Sequence, residues 1–574
     1  MLNLLTKASN MKRLPIGQSD FRQIRNEDAY YIDKSLFIEE LMRNNAQTLL
    51  LPRPRRFGKT LNMSMLNYFF DIDHAEEYRG LFSGLAIEQS EEWQHQGKYP
   101  VIFLTFKDLK HETFVEFIIK FQKMLQEYTE EHFEYLLESD QFLRSEKRYL
   151  DRIVENEADH SDLEEYLRKM AKVLKKHHGI GPILLIDEYD APIHAAFEYG
   201  YLSEMVGFMR NFLSAGFKDK DLITKGAITG ILRVAKEDIF SGLNNLVTYS
   251  ILDYEFADKF GLTQTEVNQL MDDAGYSADR QKVANWYNGY TFGQVEKIYN
   301  PWSILNFVSR HEEGLKPYWV NTSSNKLIQE TLPKIDAPTQ ELLFDLLQGK
   351  SVRARLADFT IFEDLYSGDS KVVLGLLIFS GYLTTDGTAL DPGRLEYKLR
   401  VPNEEIRIMY ETMLARYLKA SEKVSENELL VALLEQKPQT FADALKRYLL
   451  HSFSFFDIGT KGFLPEKIYH AFMLGLMAHL NQEYHVKSNR ESGLGRADLI
   501  IYPKDAKNPK GWVLEFKKKT LDDPESLEEL AQSALEQIHE QQYVAELNGH
   551  GKIEIMCMGI AFDGKQAACA FQVR

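Results

Sequence analysis

The chain has few cysteines, few glycines and prolines for its length, and no long apolar run. Its 574 residues include two cysteines, Cys557 and Cys569, whose spacing matches neither a paired zinc motif nor a disulfide framework. We therefore expect a reducing, cytoplasmic setting. The 34 glycines and 17 prolines exclude a collagen-like or low-complexity chain. No apolar stretch approaches the roughly 20 residues that cross a bilayer, so we expect no membrane segment.

The composition is that of a globular chain with an acidic surface. Hydrophobic residues make up 44% and charged residues 27%, and 68 Lys and Arg against 85 Asp and Glu give a formal charge of −17. Such a charge disfavours coating of nucleic acid by the whole surface, although a local basic groove remains open. The length alone predicts about three or four domains.

The pattern of apolar residues divides the chain into three regions. In residues 11–255, short apolar bursts at 48–51, 101–106, 183–186 and 226–229 alternate with helical stretches, which predicts a parallel α/β sheet. Residues 256–436 are mostly helical, with turn-forming breaks. Residues 437–574 hold a helix at 465–481, strands at 484–487, 497–502 and 512–516, a helix at 526–547 and a strand at 552–561. This order predicts a second, C-terminal α/β domain.

A phosphate-binding loop is predicted directly after the first apolar burst. Residues 53–60 read Arg-Pro-Arg-Arg-Phe-Gly-Lys-Thr and precede a helical stretch, which is the order such a loop requires. Gly58, Lys59 and Thr60 are therefore candidate nucleotide-binding residues: backbone N–H groups cradle phosphates, Lys59 reaches the β and γ phosphates, and the Thr60 hydroxyl ligates Mg²⁺. Since Arg53 stands where the first glycine belongs, an ordinary charged loop is the alternative.

An acidic pair ends the apolar burst at 183–186. Asp187 is predicted to hold the Mg²⁺ shell and Glu188 to orient the attacking water as a catalytic residue. An ordinary acidic turn at a strand end is the alternative. Thr229 ends the next strand and is predicted to sense the nucleotide. Arg233 could place a cation near the γ-phosphate, or could equally make an ordinary surface or interdomain pair.

A second cluster of candidate catalytic residues lies near the C-terminus. A glycine turn precedes Asp498 at the start of an apolar strand, and Glu515 and Lys517 share one face of the next strand because side chains alternate. Asp498 and Glu515, with the Phe516 carbonyl, can ligate Mg²⁺ or Mn²⁺, and Lys517 can position the nucleophilic water. Glu466, on the preceding helix, could complete the acidic set. The alternative is a solvated cross-strand Glu-x-Lys pair.

Together these segments resemble a bacterial family that joins an N-terminal AAA-ATPase-like domain to a C-terminal PD-(D/E)XK nuclease-superfamily domain. The resemblance rests on residues 14–17, 31–34, 53–60, 185–190, 229–233, 240–245, 286–290, 299–303, 319–323 and 488–498. The family pattern itself carries Arg at the position of Arg53. The resemblance implies a P-loop AAA-like domain, a helical lid or linker domain and a restriction-endonuclease-like α/β domain. It leaves Asp33 and Lys34 either near the nucleotide or at a domain seam.

The leading functional hypothesis is an ATP-regulated, metal-dependent nuclease. Its cofactors would be ATP and Mg²⁺, with Mn²⁺ also suited to the nuclease site, and its partner would be nucleic acid, with DNA favoured over RNA. A homo-oligomer is compatible with the resemblance. Two alternatives stay open: a nucleotide-dependent switch whose C-terminal domain binds nucleic acid or a partner without cleaving, and an ATPase motor acting on protein substrates.

Overall fold

A computed structural model gives the architecture of most of the chain. It describes residues 11–139, 141–231, 239–240, 243, 245–319, 339, 342–343, 345–346, 349–357, 369–387, 389–391, 395–410, 426–452, 473, 476–477, 480, 483–492, 495–519, 524–541, 543–563 and 566–573. The chain forms two compact units, one of residues 1–324 and 353–406, the other of residues 325–352 and 407–574. No helix among the described residues is long and apolar enough to cross a membrane.

The first unit is built around a five-stranded parallel sheet in the order β2-β3-β4-β1-β5. Its strands are β1 (Thr48–Pro52), β2 (Val101–Thr105), β3 (Ile183–Asp187), β4 (Lys225–Gly230) and β5 (Leu246–Thr248). The four predicted strands are thereby confirmed. The residues of β1, β3 and β4 are all buried, as expected for strands covered on both faces.

Helices surround this sheet and fill the long connection between β2 and β3. They are α1 (Phe21–Asn26), α2 (Leu36–Arg43), α3 (Lys59–Phe70), α4 (Ala75–Arg79), α5 (Phe114–Phe133), α6 (Arg144–Val154), α7 (His160–Glu164), α8 (Tyr166–His178), α9 (Ala191–Tyr199) and α10 (Leu202–Phe217). Because β4 lies between β1 and β3, the loops after these three strands meet at one edge of the sheet.

The middle region is mainly helical, as predicted. Its elements are α11 (Gln264–Asp273), α12 (Arg280–Tyr287), β6 (Tyr290–Phe292), β7 (Val295–Ile298), α13 (Pro301–Ser309), β8 (Val352–Arg355), α14 (Ser370–Phe379), β9 (Thr384–Thr385) and β10 (Glu396–Arg400). Strands β6 and β7 form a hairpin, and β8, β10 and β9 form a small sheet.

The second unit contains a mixed five-stranded sheet in the order β11-β12-β13-β14-β15. Its elements are α15 (Glu426–Leu434), α16 (Pro438–Ser452), β11 (Tyr484–Ser492), β12 (Gly495–Pro503), β13 (Lys510–Lys518), α17 (Leu527–Glu540), α18 (Ala545–Gly549), β14 (Glu554–Asp563) and β15 (Gln566–Val573). Only the β13–β14 pairing is parallel. Helix α17 packs on one face of this sheet and α15 and α16 on the other. The predicted helix 465–481 lies largely outside the described residues.

Candidate functional sites

The loop after β1 has the backbone of a phosphate-binding turn. Gly58, at the N-cap of α3, has φ +88°, a left-handed conformation that glycine adopts without strain. A Cβ placed there would meet no atom within 4 Å, so the backbone conformation, and not lack of space, calls for glycine. Helix α3 begins at Lys59, and its first N–H groups face the end of this loop.

Lys59 lies at the centre of the loop. Its ammonium is buried and donates hydrogen bonds to the carbonyl oxygens of Arg53 at 3.0 Å and Pro54 at 3.1 Å. Burial lowers the pKa of Lys59, and the carboxylates of Glu188 and Asp187 oppose that shift. The loop therefore holds its lysine between backbone oxygens and the acidic residues that follow β3.

Asp187 connects two of the other predicted nucleotide-binding residues. Its carboxylate is fully buried and accepts a hydrogen bond from the Thr60 hydroxyl at 2.7 Å and another from the Thr229 hydroxyl at 2.6 Å. The ends of β3 and β4 and the start of α3 thus meet at one carboxylate. The donors are hydroxyl and carboxylate oxygens, the type that Mg²⁺ prefers, so these residues fit that ion.

Glu188 has the one strained backbone conformation at the end of β3. Its φ is +52°, which is uncommon for a residue with a side chain and occurs most often at functional sites. Burial raises the pKa of Glu188, while Lys59 opposes the rise. The half-buried carboxyl group therefore lies beside the loop lysine.

One residue of this site, Asp190, was not predicted from the sequence, and one predicted residue, Arg233, has no described position. Asp190 is buried, and its carboxylate accepts a hydrogen bond from the Ile231 N–H at 2.8 Å, which ties the loop after β3 to the loop after β4. The sequence feature that could have identified Asp190 is its position three residues after Asp187, the last residue of β3. Arg233 lies outside the described residues.

Arg53 points into the interior of the first unit. Its guanidinium donates to the carbonyl oxygens of Pro52 at 2.8 Å, Tyr249 at 2.7 Å and Phe256 at 3.2 Å, and lies 4.7 Å from the ring centre of Phe260. Burial lowers the pKa of Arg53 to about 9, although two carboxylates act to raise it. The residue at the first loop position therefore fastens the phosphate loop to the chain after β5.

The contacts of Asp33 and Lys34 are structural. The Asp33 carboxylate accepts hydrogen bonds from the backbone N–H groups of Ser35 at 2.8 Å and Ala86 at 2.7 Å. Lys34 forms a largely buried ion pair with Glu266 on α11 at 2.7 Å and donates to the Asp258 carbonyl at 2.8 Å. Lys34 thus connects the chain before the sheet to the first helix of the middle region.

In the second unit, β12 and β13 bring two predicted carboxylates together. The strands are antiparallel, with Leu499 opposite Leu514. The Phe516 N–H donates to the Asp498 carboxylate at 2.8 Å, and the Asp498 N–H donates to the Glu515 carboxylate at 3.2 Å. Glu515 is buried, and Asp498 is half-buried. Each carboxylate therefore lies against the backbone of the other strand.

Helix α17 completes the surroundings of this pair. Lys517 donates to the Ser533 hydroxyl at 2.7 Å, and the Gln537 side-chain amide donates to the Glu515 carboxylate. Gln537 also lies 3.5 Å from the Tyr543 hydroxyl. Ser533 was not predicted, because no local pattern marks a helix serine that meets a strand lysine. Two predicted residues of β13, Glu515 and Lys517, thus contact the same helix.

The donor atoms at this second site are suited to a hard divalent cation. Asp498, Glu515 and the Phe516 carbonyl offer oxygen ligands only, which fits Mg²⁺ or Mn²⁺. Within the described ranges, no three His, Cys, Asp or Glu side chains gather as a metal cluster. Glu466, the predicted third acidic residue, lies outside those ranges.

Comparison with known protein families agrees with this geometry. Residues 15–240 match the AAA-ATPase-like family described as "Predicted AAA-ATPase", and residues 464–571 match the PD-(D/E)XK nuclease superfamily. The chain contains an AAA-ATPase-like domain followed by a PD-(D/E)XK nuclease-superfamily domain. The phosphate loop and Asp187 lie within the AAA-ATPase-like match. The Asp498 and Glu515 pair lies within the PD-(D/E)XK match.

One curated relative aligns with most of the chain at low identity. The "Uncharacterized protein in vnfD 5'region" of Azotobacter chroococcum mcd 1 is 28% identical over 414 residues, which cover 71% of each chain. Its printed name assigns no activity.

Proposed function

We propose that this protein is an ATP-regulated, metal-dependent nuclease that acts in the cytoplasm on nucleic acid, with DNA as the favoured substrate. The observation that carries the proposal is the convergence of Asp498 and Glu515 across β12 and β13, with Lys517 on the same strand as Glu515. Two adjacent carboxylates repel each other unless a cation or a proton lies between them, which favours a metal site.

In the AAA-ATPase-like domain, we assign each residue a role toward ATP. Gly58 and the start of α3 would bind phosphate oxygens, and Lys59 would neutralise the β and γ phosphates. Thr60 and Asp187 would hold Mg²⁺, which when bound offsets the phosphate charge, and Thr229 would fix the orientation of Asp187. Glu188 would hold the attacking water and accept its proton.

In the nuclease domain, the residues would act on a phosphodiester bond. Asp498, Glu515 and the Phe516 carbonyl would hold a divalent cation, which when bound lowers the pKa of water and polarises the phosphate. Lys517 would orient the nucleophilic water and stabilise the developing negative charge. Gln537 would keep the Glu515 carboxylate in place. We also propose the predicted boundaries 11–255, 256–436 and 437–574 as the domain limits.

A cleavage assay tests the nuclease half. Labelled single- and double-stranded DNA and RNA are incubated with the full chain, with and without ATP and Mg²⁺. We expect Mg²⁺-dependent cleavage that changes with ATP and that falls at least about 100-fold in Lys517→Ala. Lys519→Ala, which removes a neighbouring charge beyond the site, is the matched control and should cleave normally. Equal cleavage by both variants would contradict the role of Lys517.

A binding assay tests the ATPase half. Lys59→Met keeps the length of the buried side chain but removes its charge, so ATP affinity should fall by at least tenfold, on the order of 1.4 kcal/mol. Glu188→Gln should bind ATP normally and hydrolyse it at least about 100-fold more slowly. Calorimetry and phosphate release measure the two quantities. Normal hydrolysis in Glu188→Gln would remove Glu188 from the mechanism.

A nucleotide-dependent switch with a non-cleaving C-terminal domain is the second candidate. The observation that favours it is that both carboxylate oxygens of Glu515 already accept hydrogen bonds, one from the Gln537 amide and the other from the Asp498 N–H. Titration with Mg²⁺ or Mn²⁺ by calorimetry separates the two candidates, with Asp498→Asn as the control. Binding that is lost in the variant supports the nuclease. Lack of binding at millimolar metal supports the switch.

A further inference from the structure

Two segments without a role in the chemistry above meet the phosphate loop at the side chain of Trp302. This residue is the second of α13 and belongs to the Tyr299–Ser303 segment. Its indole N–H donates to the Tyr318 carbonyl at 3.2 Å, which fixes the ring. Its far edge lies 3.9 Å from the position that a Cβ on Gly17 would occupy. The third segment is the phosphate loop, which contacts the ring through Arg56.

The Arg56 guanidinium lies over the face of the Trp302 ring, 4.2 Å from its centre. A guanidinium stacked in this way is held by its flat face and keeps the N–H groups along its edge for other partners. Within the described part of the chain, the Arg56 side chain has no hydrogen-bond acceptor and no ion pair. The stacking contact therefore positions a cation without using its hydrogen-bond donors.

The backbone of the loop is built to present this side chain. Arg56 has φ +67°, a left-handed conformation that is strained for a residue with a side chain. The flanking residues are anchored: the Arg55 carbonyl accepts from the buried Asn300 amide at 3.5 Å, and the Phe57 carbonyl accepts from the Gly261 N–H at 3.0 Å. The strained residue thus lies between two fixed neighbours and points outward.

The charge of Arg56 lies close to the proposed hydrolytic residue. Burial lowers the pKa of Arg56, the Glu188 carboxylate opposes that shift, and Arg55 adds to it. Glu188 is therefore within electrostatic reach of the guanidinium. The exposed Arg56 side chain therefore belongs to the same loop as Gly58 and Lys59 and interacts electrostatically with the residue proposed to act on the attacking water.

We propose that Arg56 binds the terminal phosphate of the nucleotide and that Trp302 is the positioning residue that holds its guanidinium for this contact. The edge of the guanidinium matches two phosphate oxygens, so the contact forms with a triphosphate and not with a diphosphate. Because Asn300 contacts Arg55 and Trp302 contacts Arg56, the presence or absence of the terminal phosphate is transmitted through the Asn300–Trp302 segment to the middle region. This inference rests on the proposed nucleotide site.

The test compares triphosphate and diphosphate affinity in the full chain. Calorimetry with a non-hydrolysable ATP analogue and with ADP, both with Mg²⁺, is applied to wild type and variants. Arg56→Ala should weaken binding of the analogue about tenfold or more and change ADP binding less than about twofold. Arg56→Lys keeps the charge but loses the forked guanidinium group, so its affinity for the analogue should lie between those of wild type and Arg56→Ala. Trp302→Leu should act in the same direction as Arg56→Ala, and Trp302→Phe should restore most of the affinity.

A matched control removes an equivalent pair elsewhere. Arg79 stacks on Trp93 at 5.4 Å, and Arg79→Ala should leave both affinities unchanged. Unaltered thermal unfolding of Arg56→Ala shows that the variant is folded. Equal losses for the analogue and ADP, or no loss in Arg56→Ala, would overturn the inference. If wild type binds neither nucleotide, or if Lys59→Met binds as wild type does, the proposed nucleotide site fails and the inference fails with it.

Discussion

Glu405 is a buried carboxyl group in the first unit. It is 1% exposed, accepts hydrogen bonds from the Trp319 N–H at 2.6 Å and the Ser303 hydroxyl at 2.7 Å, and lies in the same unit as α13. Burial raises the pKa of Glu405 to about 7, although both hydrogen bonds act to lower it. The folded protein therefore prefers the protonated form of this residue at pH values where an unfolded chain has lost the proton.

This pKa predicts how stability changes with pH. Because the folded value is the higher one, the folded state binds more protons between about pH 4.5 and 7, and stability falls as pH rises through this window. The loss attributable to Glu405 is about 3 kcal/mol at most. Glu405→Gln does not titrate, and its amide can accept from the Trp319 N–H and donate to the Ser303 hydroxyl, so its stability relative to wild type should rise between pH 5 and pH 8. Denaturant unfolding at the two pH values measures the difference.

The control for this experiment is Glu312→Gln, which removes an exposed carboxylate in the same region. Its free energy of unfolding should change with pH in the same way as that of wild type. A Glu405→Gln variant with the same pH dependence as wild type would show that the carboxyl group is already ionised in the folded protein.

Arg53 gives a second prediction at the scale of one residue. Its guanidinium donates hydrogen bonds to three backbone carbonyl groups in the interior. Arg53→Ala therefore leaves a cavity and three carbonyl oxygens without this donor. We expect a loss of about 3 kcal/mol or more in the free energy of unfolding of the first unit. Arg55→Ala, at a half-buried position of the same loop, should change it by less than about 0.5 kcal/mol. Urea unfolding measures both, and similar values for the two variants would refute the structural role.

At single positions, the sequence could predict which side chains lie near each other where a motif fixes their neighbours. Lys59, Thr60 and Asp187 follow from a loop and a strand end, since the topology of a parallel sheet brings those ends together. The direction of the Arg53 side chain could not be predicted, because its acceptors lie about 200 residues further along the chain. The same holds for Ser533, which reaches Lys517 only after α17 docks on the sheet.

At the scale of elements, the strands with apolar runs and the start of β11 were predicted, whereas β5 and β15 were not. Strand β5 has only three residues, one of them exposed. Strand β15 consists largely of small residues and does not alternate between buried and exposed positions, so neither strand has a strong periodic signal. The first of the two lies next to β1, and the second pairs with β14 at the end of the C-terminal sheet. Edge strands such as these are defined by their partner strand more than by their own sequence.

The packing of α17 on the sheet predicts the effect of one added methyl group. A Cβ on Gly559 of β14 would lie 2.2 Å from the Ala531 carbonyl oxygen and 2.4 Å from the Leu535 nitrogen, both in the backbone of α17. Since backbone cannot rotate away, Gly559→Ala must displace the helix that carries Ser533 and Gln537. We expect a loss of about 1 to 3 kcal/mol in stability and weaker divalent-metal binding.

Gly549→Ala is the matched control for this prediction. Its Cβ would meet no atom within 4 Å, so stability and metal affinity should stay close to wild type. Urea unfolding and calorimetric titration with Mn²⁺ measure the two quantities. Unchanged metal affinity in a destabilised Gly559→Ala would show that α17 does not support the carboxylate pair.

At the scale of the whole molecule, the chain separates into two compact units with their own cores. The first unit contains every described residue of the proposed nucleotide site, and the second contains Asp498, Glu515 and Lys517. In the middle region, the described residues of 256–319 and 353–406 belong to the same compact unit as the N-terminal sheet, and those of 339–352 belong to the other unit. Contacts such as the ion pair between Lys34 and Glu266 hold the start of the middle region to the N-terminal part of the chain, and no local sequence pattern predicts them.

Two units predict two thermal transitions, of which ATP should move only one. A ligand that binds the folded state stabilises it by about 2.7 kcal/mol at 100 times its Kd, so ATP with Mg²⁺ should raise the transition of the first unit. Lys59→Met should abolish the shift, and Lys517→Ala should retain it. Differential scanning calorimetry with and without nucleotide measures both transitions. A single transition would show that the two units unfold together, and an equal shift of two transitions would show that ATP stabilises both units; either result would contradict the prediction.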